Sequence, residues 1–293
     1  MIDKLAILGM LGLMAPPLAA AQILAVERVV SPAWVERADG GRQPLAAGVA
    51  LGNKDRIHTG SGARVLLRMT EGSAVKLGEN ATLALDDLNE KNGGNASRLV
   101  SASLDVLRGA FRFTTGIFGR QRAGRDIRIR ITTVTAGIRG TDVWGKSSGD
   151  RDIVCLIEGR IGVEHGGRQF TMQDPLSFFI APRAGKPQPV APVSRRQIDE
   201  WVEETEIREG DGAIREGGGY GVDFADAMDQ DAATQIYDKA REAGFPAEIE
   251  TVRSEYGSDQ YRVRILNLTG AKDAQAVVEK LKSLGFSQVQ VSR

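Results

Sequence analysis

Two patterns of apolar and polar positions divide this 293-residue chain. Between residues 23 and 182 short runs alternate with period two: Val65-Leu-Leu-Arg-Met69, Ala74-Val-Lys-Leu77, Thr82-Leu-Ala-Leu85, Leu104 to Phe113, Asp126-Ile-Arg-Ile-Arg-Ile131, Ile153 to Ile157 and Arg160-Ile-Gly-Val163. Alternation of this kind buries one face of a strand and leaves the other wet. Glu71-Gly72-Ser73, Glu158-Gly159-Arg160 and Gly166-Gly167 supply the positive-φ residues of tight hairpins between the runs. Nothing in this span keeps a 3.6-residue period for the roughly ten residues a substantial helix needs. The pattern predicts an all-β N-terminal domain, either an antiparallel sandwich or a rolled sheet.

The last quarter is written twice. Ala233-Thr-Gln-Ile-Tyr-Asp-Lys239-Ala-Arg-Glu-Ala-Gly244-Phe245 recurs 41 positions later as Ala274-Gln-Ala-Val-Val-Glu-Lys280-Leu-Lys-Ser-Leu-Gly285-Phe286. In each copy the apolar residues (Ala233, Ile236, Tyr237, Ala240, Ala243; Ala274, Val277, Val278, Leu281, Leu284) form one stripe of a helix that a glycine ends. Tyr220-Gly-Val-Asp-Phe224 and Tyr261-Arg-Val-Arg-Ile265 precede the copies, and Ala247 to Thr251 and Gln288 to Val291 follow them with period two. The order is βαββαβ, an α+β ferredoxin-like domain with both helices on one face of a four-stranded sheet. Val222, Phe224, Ile249, Val263, Ile265, Val289 and Val291 then point to the helices, and Asp223, Glu248, Glu250, Arg262, Arg264, Gln288 and Gln290 point away. That outer face, with Gln260 further along the same strand side, is rich in hydrogen-bonding groups and suits a polyhydroxylated or amide-bearing ligand.

Residues 219 to 293 resemble a SPOR (sporulation-related repeat) domain, a bacterial cell-wall module. The resemblance rests on Tyr220 to Phe224, the two helix-Gly-Phe units and Tyr261 to Ile265. It implies binding of peptidoglycan glycan strands, preferably those stripped of stem peptides, on the exposed sheet face. Asp223, Gln260, Arg262, Arg264, Gln288 and Gln290 are the expected glycan-binding residues. Asp223 stands where the family usually has Gln, and Leu266-Asn267-Leu268 replaces its usual Gly-Pro-Phe.

The β region resembles the FecR family, named for the periplasmic part of an iron-citrate signalling regulator. Gly48-x-x-Leu51-Gly-x-x-Asp55-x-Ile57-x-Thr59-Gly60, Leu107-x-Gly109-x-Phe111, Ile131 to Val143 and Val154-x-x-x-Glu158-Gly159-x-Ile161-x-Val163 carry the likeness in order. It implies a module for protein interaction or signalling, with an unidentified envelope protein as partner. The regulators that gave the family its name have a cytoplasmic segment and a membrane helix before this domain. Here a leader replaces both, so control of a sigma factor across a membrane is not expected.

That leader is the uncharged run Leu5 to Ala15 after Lys4, ended by Pro16-Pro17, with Ala19-Ala20-Ala21 as a small-residue cleavage site before Gln22. It reads as a signal peptide over residues 1–21, too short to span a bilayer, and predicts a periplasmic mature chain. Residues 183–218 read as a linker. Ala181 to Pro192 is a proline-rich spacer, and Ser194 caps an amphipathic helix, Arg195 to Arg208, that Trp201 docks onto the β domain while its acidic face stays in water. Gly210 to Gly219 reads as flexible.

Thirty-eight basic and 38 acidic side chains balance, which excludes a general nucleic-acid or membrane-surface binder. Charge is uneven locally. Arg120, Arg122, Arg125, Arg128 and Arg130 face only Asp126, either as a solvated loop and strand face or as a contact for an anionic wall polymer or acidic partner. In Arg139-Gly140-Thr141 the glycine is expected to permit a bend while the threonine bonds nearby backbone. The lone cysteine, Cys155, sits in an apolar strand and reads as a small buried hydrophobe. His58 and His165 stand apart, so neither a metal site nor a catalytic residue nor a cofactor is expected. The alternative to a non-enzymatic wall protein is a component of a glycan hydrolase.

Overall fold

The computed structural model describes residues 23–92, 98–115, 123–138, 140–227, 229–253 and 259–293. The leader, Arg120, Arg122 and Arg139 lie outside these residues, as does the side chain of Arg125.

Among the described residues seventeen strands form the first region as one continuous, rolled sheet. They are β1 (Leu24–Val30), β2 (Ala33–Glu36), β3 (Arg42–Pro44), β4 (Ala50–Leu51), β5 (Arg56–Thr59), β6 (Arg64–Met69), β7 (Ala74–Leu77), β8 (Thr82–Asn92) and β9 (Arg98–Thr114), then β10 (Ala123–Ile131), β11 (Val134–Ile138), β12 (Asp142–Ser147), β13 (Arg151–Glu158), β14 (Ile161–His165), β15 (Arg168–Met172), β16 (Ser177–Pro182) and β17 (Ala191–Pro192). The long β9 is the hinge of the roll. Its first half lies between β8 and β10, and its second half pairs with β7 and β12. The strand changes partners at Gly109, where φ is +85° and an added Cβ would stand 2.5 Å from the Cα of Ala81. Only glycine serves both needs.

Pairing is antiparallel except between β9 and β10, where Arg98–Val106 runs alongside Ala123–Ile131 in the same direction. Antiparallel neighbours are what simple hairpins give. Here the bend at Gly109 carries the chain into the other layer before it re-enters, and a parallel pair needs such a crossover. Ile127, Ile129 and Ile131 are buried as their alternation predicts. Cys155 is buried too, and desolvation, helped by the charge of Asp142, pushes its thiol up to about 12, so it stays protonated.

Two buried aspartates fix turns. Asp55 takes the Gly52 N–H (2.9 Å) and pairs with Arg37 (2.6 Å), and Asp152 accepts from both terminal nitrogens of Arg183 (2.8 and 2.9 Å) and from Thr133. Gly140 does adopt positive φ. The backbone of Thr141 bonds Thr115 across the roll, while its own hydroxyl is buried without a partner among the described residues.

Helix α1 (Arg195–Glu203) starts at Ser194, whose side chain accepts from the Gln197 N–H. Trp201 stacks flat on Trp144 (centroids 4.9 Å apart) and edge-on to Phe178, and Ile198 is buried beside them. The helix ends five residues earlier than its apolar pattern predicts. Glu203, Glu204 and Glu206 would crowd the negative end of its dipole. Released from the helix, Glu204 reaches Lys146 (2.7 Å) and Glu206 reaches Lys76 (2.7 Å) and Arg112 (3.6 Å), so these acids clasp the β domain instead of remaining in water.

The second region is β18 (Tyr220–Ala227), α2 (Gln230–Glu242), β19 (Glu248–Arg253), β20 (Asp259–Leu268), α3 (Ala271–Ser283) and β21 (Gln290–Ser292), with sheet order β19-β20-β18-β21. Gly244 and Gly285 end the helices, both at φ +87°.

The segment after Gly210 is a strap rather than a loose tether. Ala213 exchanges backbone hydrogen bonds with Val29 of β1 and bridges to Leu268 at the end of β20. Arg28 donates to the Asp211 carbonyl (2.9 Å), and the Ile214 and Thr269 N–H groups close the strap on the β20 side. Beside it Trp34 lies against Gly244 and donates to the Glu242 carbonyl (3.2 Å), and Lys280 of α3 donates to the Ser31 carbonyl (2.9 Å). One hydrophobic cluster continues through both regions.

Candidate glycan-binding face and family comparisons

The β domain touches the helical layer of the second region at the end of α2 and the flank of α3. The opposite sheet face stays open. Register sets its chemistry: Glu248, Arg264, Asp223 and Gln290 lie in one row across the four strands, and Glu250, Arg262 and Asp226 in the next. Acid faces base in both rows: Arg264 stands between Glu248 and Asp223, and Arg262 opposite Glu250.

Within this face the expected residues differ in availability. Glu248, Glu250 and Gln290 are exposed. Asp223 is 7% exposed, and its carboxylate accepts from the Ser292 hydroxyl (2.9 Å) and lies 3.1 Å from Arg264 Nε. The Arg264 side chain, 18% exposed, also donates to Glu250 (2.6 Å). Asp223 and Arg264 therefore form the floor of the face and, through Glu250 and Ser292, tie its four strands together. Arg262 and Gln260 are half-buried at their register positions opposite Glu250 and Val252. Gln288 lies before β21 rather than in it. It lines a separate cleft of about 280 Å³ with Phe224, Phe286 and Lys239, away from the outer rows.

Val222, Phe224, Val263, Ile265 and Val289 are buried under the helices as predicted, whereas Ile249 and Val291 are 37% and 36% exposed. Both belong to the edge strands, at the margins of the sheet. Ser292 was not signalled by the sequence pattern as a site residue, although its two-residue spacing from Gln290 puts it on the same face.

The chain matches two family models. Residues 55–162 match "FecR protein" and residues 216–292 match "SPOR domain". The chain carries a FecR domain followed by a SPOR domain. The SPOR domain implies peptidoglycan binding, and both domains are binding or regulatory modules rather than catalytic ones. The open face thus belongs to the SPOR domain, and the FecR match covers the roll from β5 into β14, with the acidic clasp after it. No curated protein matches the chain. Two crystal structures of a candidate anti-sigma factor from Parabacteroides distasonis ATCC 8503, at 2.50 and 1.65 Å, overlap 78% of this chain and 91% of theirs at 12% identity, with TM-scores of 0.39 and 0.38.

Elsewhere the histidines are occupied locally. His58 lies between Thr82 and Glu36 (3.3 Å each), and His165 bonds the Thr133 carbonyl (2.9 Å). Among the described residues no group of His, Cys, Asp and Glu could hold a metal ion, and no helix is long and apolar enough to cross a membrane. Arg130 pairs with Asp105 and Asp86, and Arg128 with Asp126 (3.7 Å), so the described part of the basic stretch carries its own counter-charges.

Proposed function

We propose that this is an exported, non-enzymatic envelope protein of the periplasm that holds peptidoglycan glycan strands on the outer face of its SPOR sheet. Glycan denuded of stem peptide is the preferred ligand, which directs the protein to the wall and the division septum, and the FecR domain engages a second envelope protein. One observation supports the reading: the sheet face turned away from the helices bears Glu248, Glu250 and Gln290 exposed, while the β region meets the SPOR domain on its helical side. Sugar hydroxyls and acetamido groups both donate and accept, and rows of alternating acid, base and amide offer both partners. Asp223 and Arg264 support this surface from below, and Gln260, Arg262 and Gln290 meet the ligand from it. Gln288, in its separate cleft, is left out of this contact.

Retention of the labelled mature chain on purified sacculi tests the assignment. Replacing Arg262 and Gln290 together by alanine is expected to weaken retention by roughly tenfold, equivalent to about 1.4 kcal/mol, with the melting temperature unchanged. Equal retention of the double variant would place the glycan elsewhere.

A further inference from the structure

We propose that a cleft of about 300 Å³ at the bend of the FecR domain binds a carboxylate presented by an acidic segment of a partner protein. The cleft lies where the start of β6, the turn before β8, the Gly109 bend and the turn after β12 meet. Gly109, packed so closely on Ala81 that it has no room for a Cβ, is part of its lining. Asn80 at its rim holds φ +51°, a left-handed conformation that a non-glycine residue adopts at a cost and that is concentrated at functional sites.

Charge decides the ligand. Arg64, Arg108 and Lys146 line the cleft against Glu79 and Glu204. Both carboxylates are engaged, Glu79 by the Gly62 N–H (2.6 Å) and Glu204 by Lys146 (2.7 Å). Among the described residues neither arginine has a carboxylate partner: Arg64 donates to the Ala63 carbonyl (2.8 Å), and Arg108 is exposed without a partner. The positive field of Arg64 extends to Lys280, whose ammonium is held below its ordinary value by burial and then by Arg64, against the opposing pull of Glu79 and Asp273.

The occupant follows from what already lies alongside. The chain's own acidic segment is laid along this basic strip, with Glu206 on Lys76 and Arg112 and Glu204 on Lys146 at the mouth of the cleft. Past Glu204 the strip continues to Arg64 and Arg108, where a guanidinium fork can take a carboxylate in bidentate fashion. This rests on the FecR domain being a protein-interaction module.

Fluorescence anisotropy with labelled tetraglutamate and the full mature chain tests it. Binding should saturate, weaken with salt, and fall at least tenfold in Arg64→Ala/Arg108→Ala while sacculus retention stays unchanged. Arg108→Glu alone, altering an exposed and unpartnered side chain, should weaken binding more than Arg108→Ala. Absence of saturable binding, or equal affinity in the variants, overturns the site. Tighter binding of stem peptides released from the wall would overturn the partner-protein assignment in favour of a wall ligand. If envelope cross-linking captures one protein equally with wild type and double variant, the cleft fails while the interaction role of the FecR domain stands; capture by neither removes that role as well.

Discussion

Arg264 and Arg262 are two residues apart on one strand face, yet the structure gives them different work. Alternation in the sequence places both outward; it does not reveal that Arg264 and Asp223 become neighbours across β18 and β20, because that depends on register between strands 41 residues apart. Arg264→Ala leaves Asp223 buried with only Ser292 as its described side-chain partner, and is expected to cost about 2 kcal/mol in urea unfolding, since losing one member of a mostly buried pair strands the other. Glu248→Ala, at an exposed edge position, should stay within about 0.5 kcal/mol. Val263 lies between the arginines on the buried side. Val263→Asp should put a carboxylate against the helices and unfold the SPOR domain, a loss of several kcal/mol visible by circular dichroism. If Arg264→Ala and Glu248→Ala prove equally mild, the floor assigned to Asp223 and Arg264 is wrong.

At the scale of elements, local period carried far. The two repeat helices, their glycine stops and the isoleucine face of β10 all stand where the apolar pattern puts them, because each is dictated by neighbours within a few residues. The docking of α1 through Trp201 was legible for the same reason: Ile198, Trp201 and Val202 form one apolar stripe on a charged helix, and that stripe has to be covered. The early end of that helix was not, since it depends on Lys76, Arg112 and Lys146, far away in sequence. The parallel β9–β10 pair was hidden too, because a strand that changes layers at one glycine still alternates like any other. Trp201→Ala should cost about 3 kcal/mol or more and abolish the exciton signal of the stacked indoles in circular dichroism. Gly109→Ala, which forces a Cβ into Ala81, should destabilise the FecR domain more than an alanine at Gly149, where the space is open. Equal melting temperatures for the two glycine variants would contradict the hinge role of Gly109.

For the whole molecule, the seam between the domains was the least legible feature. Gly210, Gly212 and Gly217 to Gly219 look like a tether, yet a Cβ on Gly212 would stand 2.5 Å from the Val29 carbonyl oxygen, so glycine there permits close approach as well as bending. The seam also contains a titratable reporter. Burial raises the carboxyl of Asp273 above its ordinary value of 3.8, against the bond it accepts from Gly212. A carboxyl raised on folding contributes stability that is full below the unfolded value and lost as pH rises through the folded one. The stability of wild type relative to Asp273→Asn is therefore expected to increase as pH falls through the window above 3.8. A difference that is flat with pH, or that runs the other way, would remove Asp273 from the seam's energetics.

The β region meets the SPOR domain on its helical side, and the proposed glycan face is the opposite one. Sedimentation of the mature chain with sacculi before and after amidase removes the stem peptides tests this most directly. We predict saturable binding that increases after amidase treatment; a chain that stays in the supernatant with both preparations, or that binds less once the peptides are gone, would contradict it.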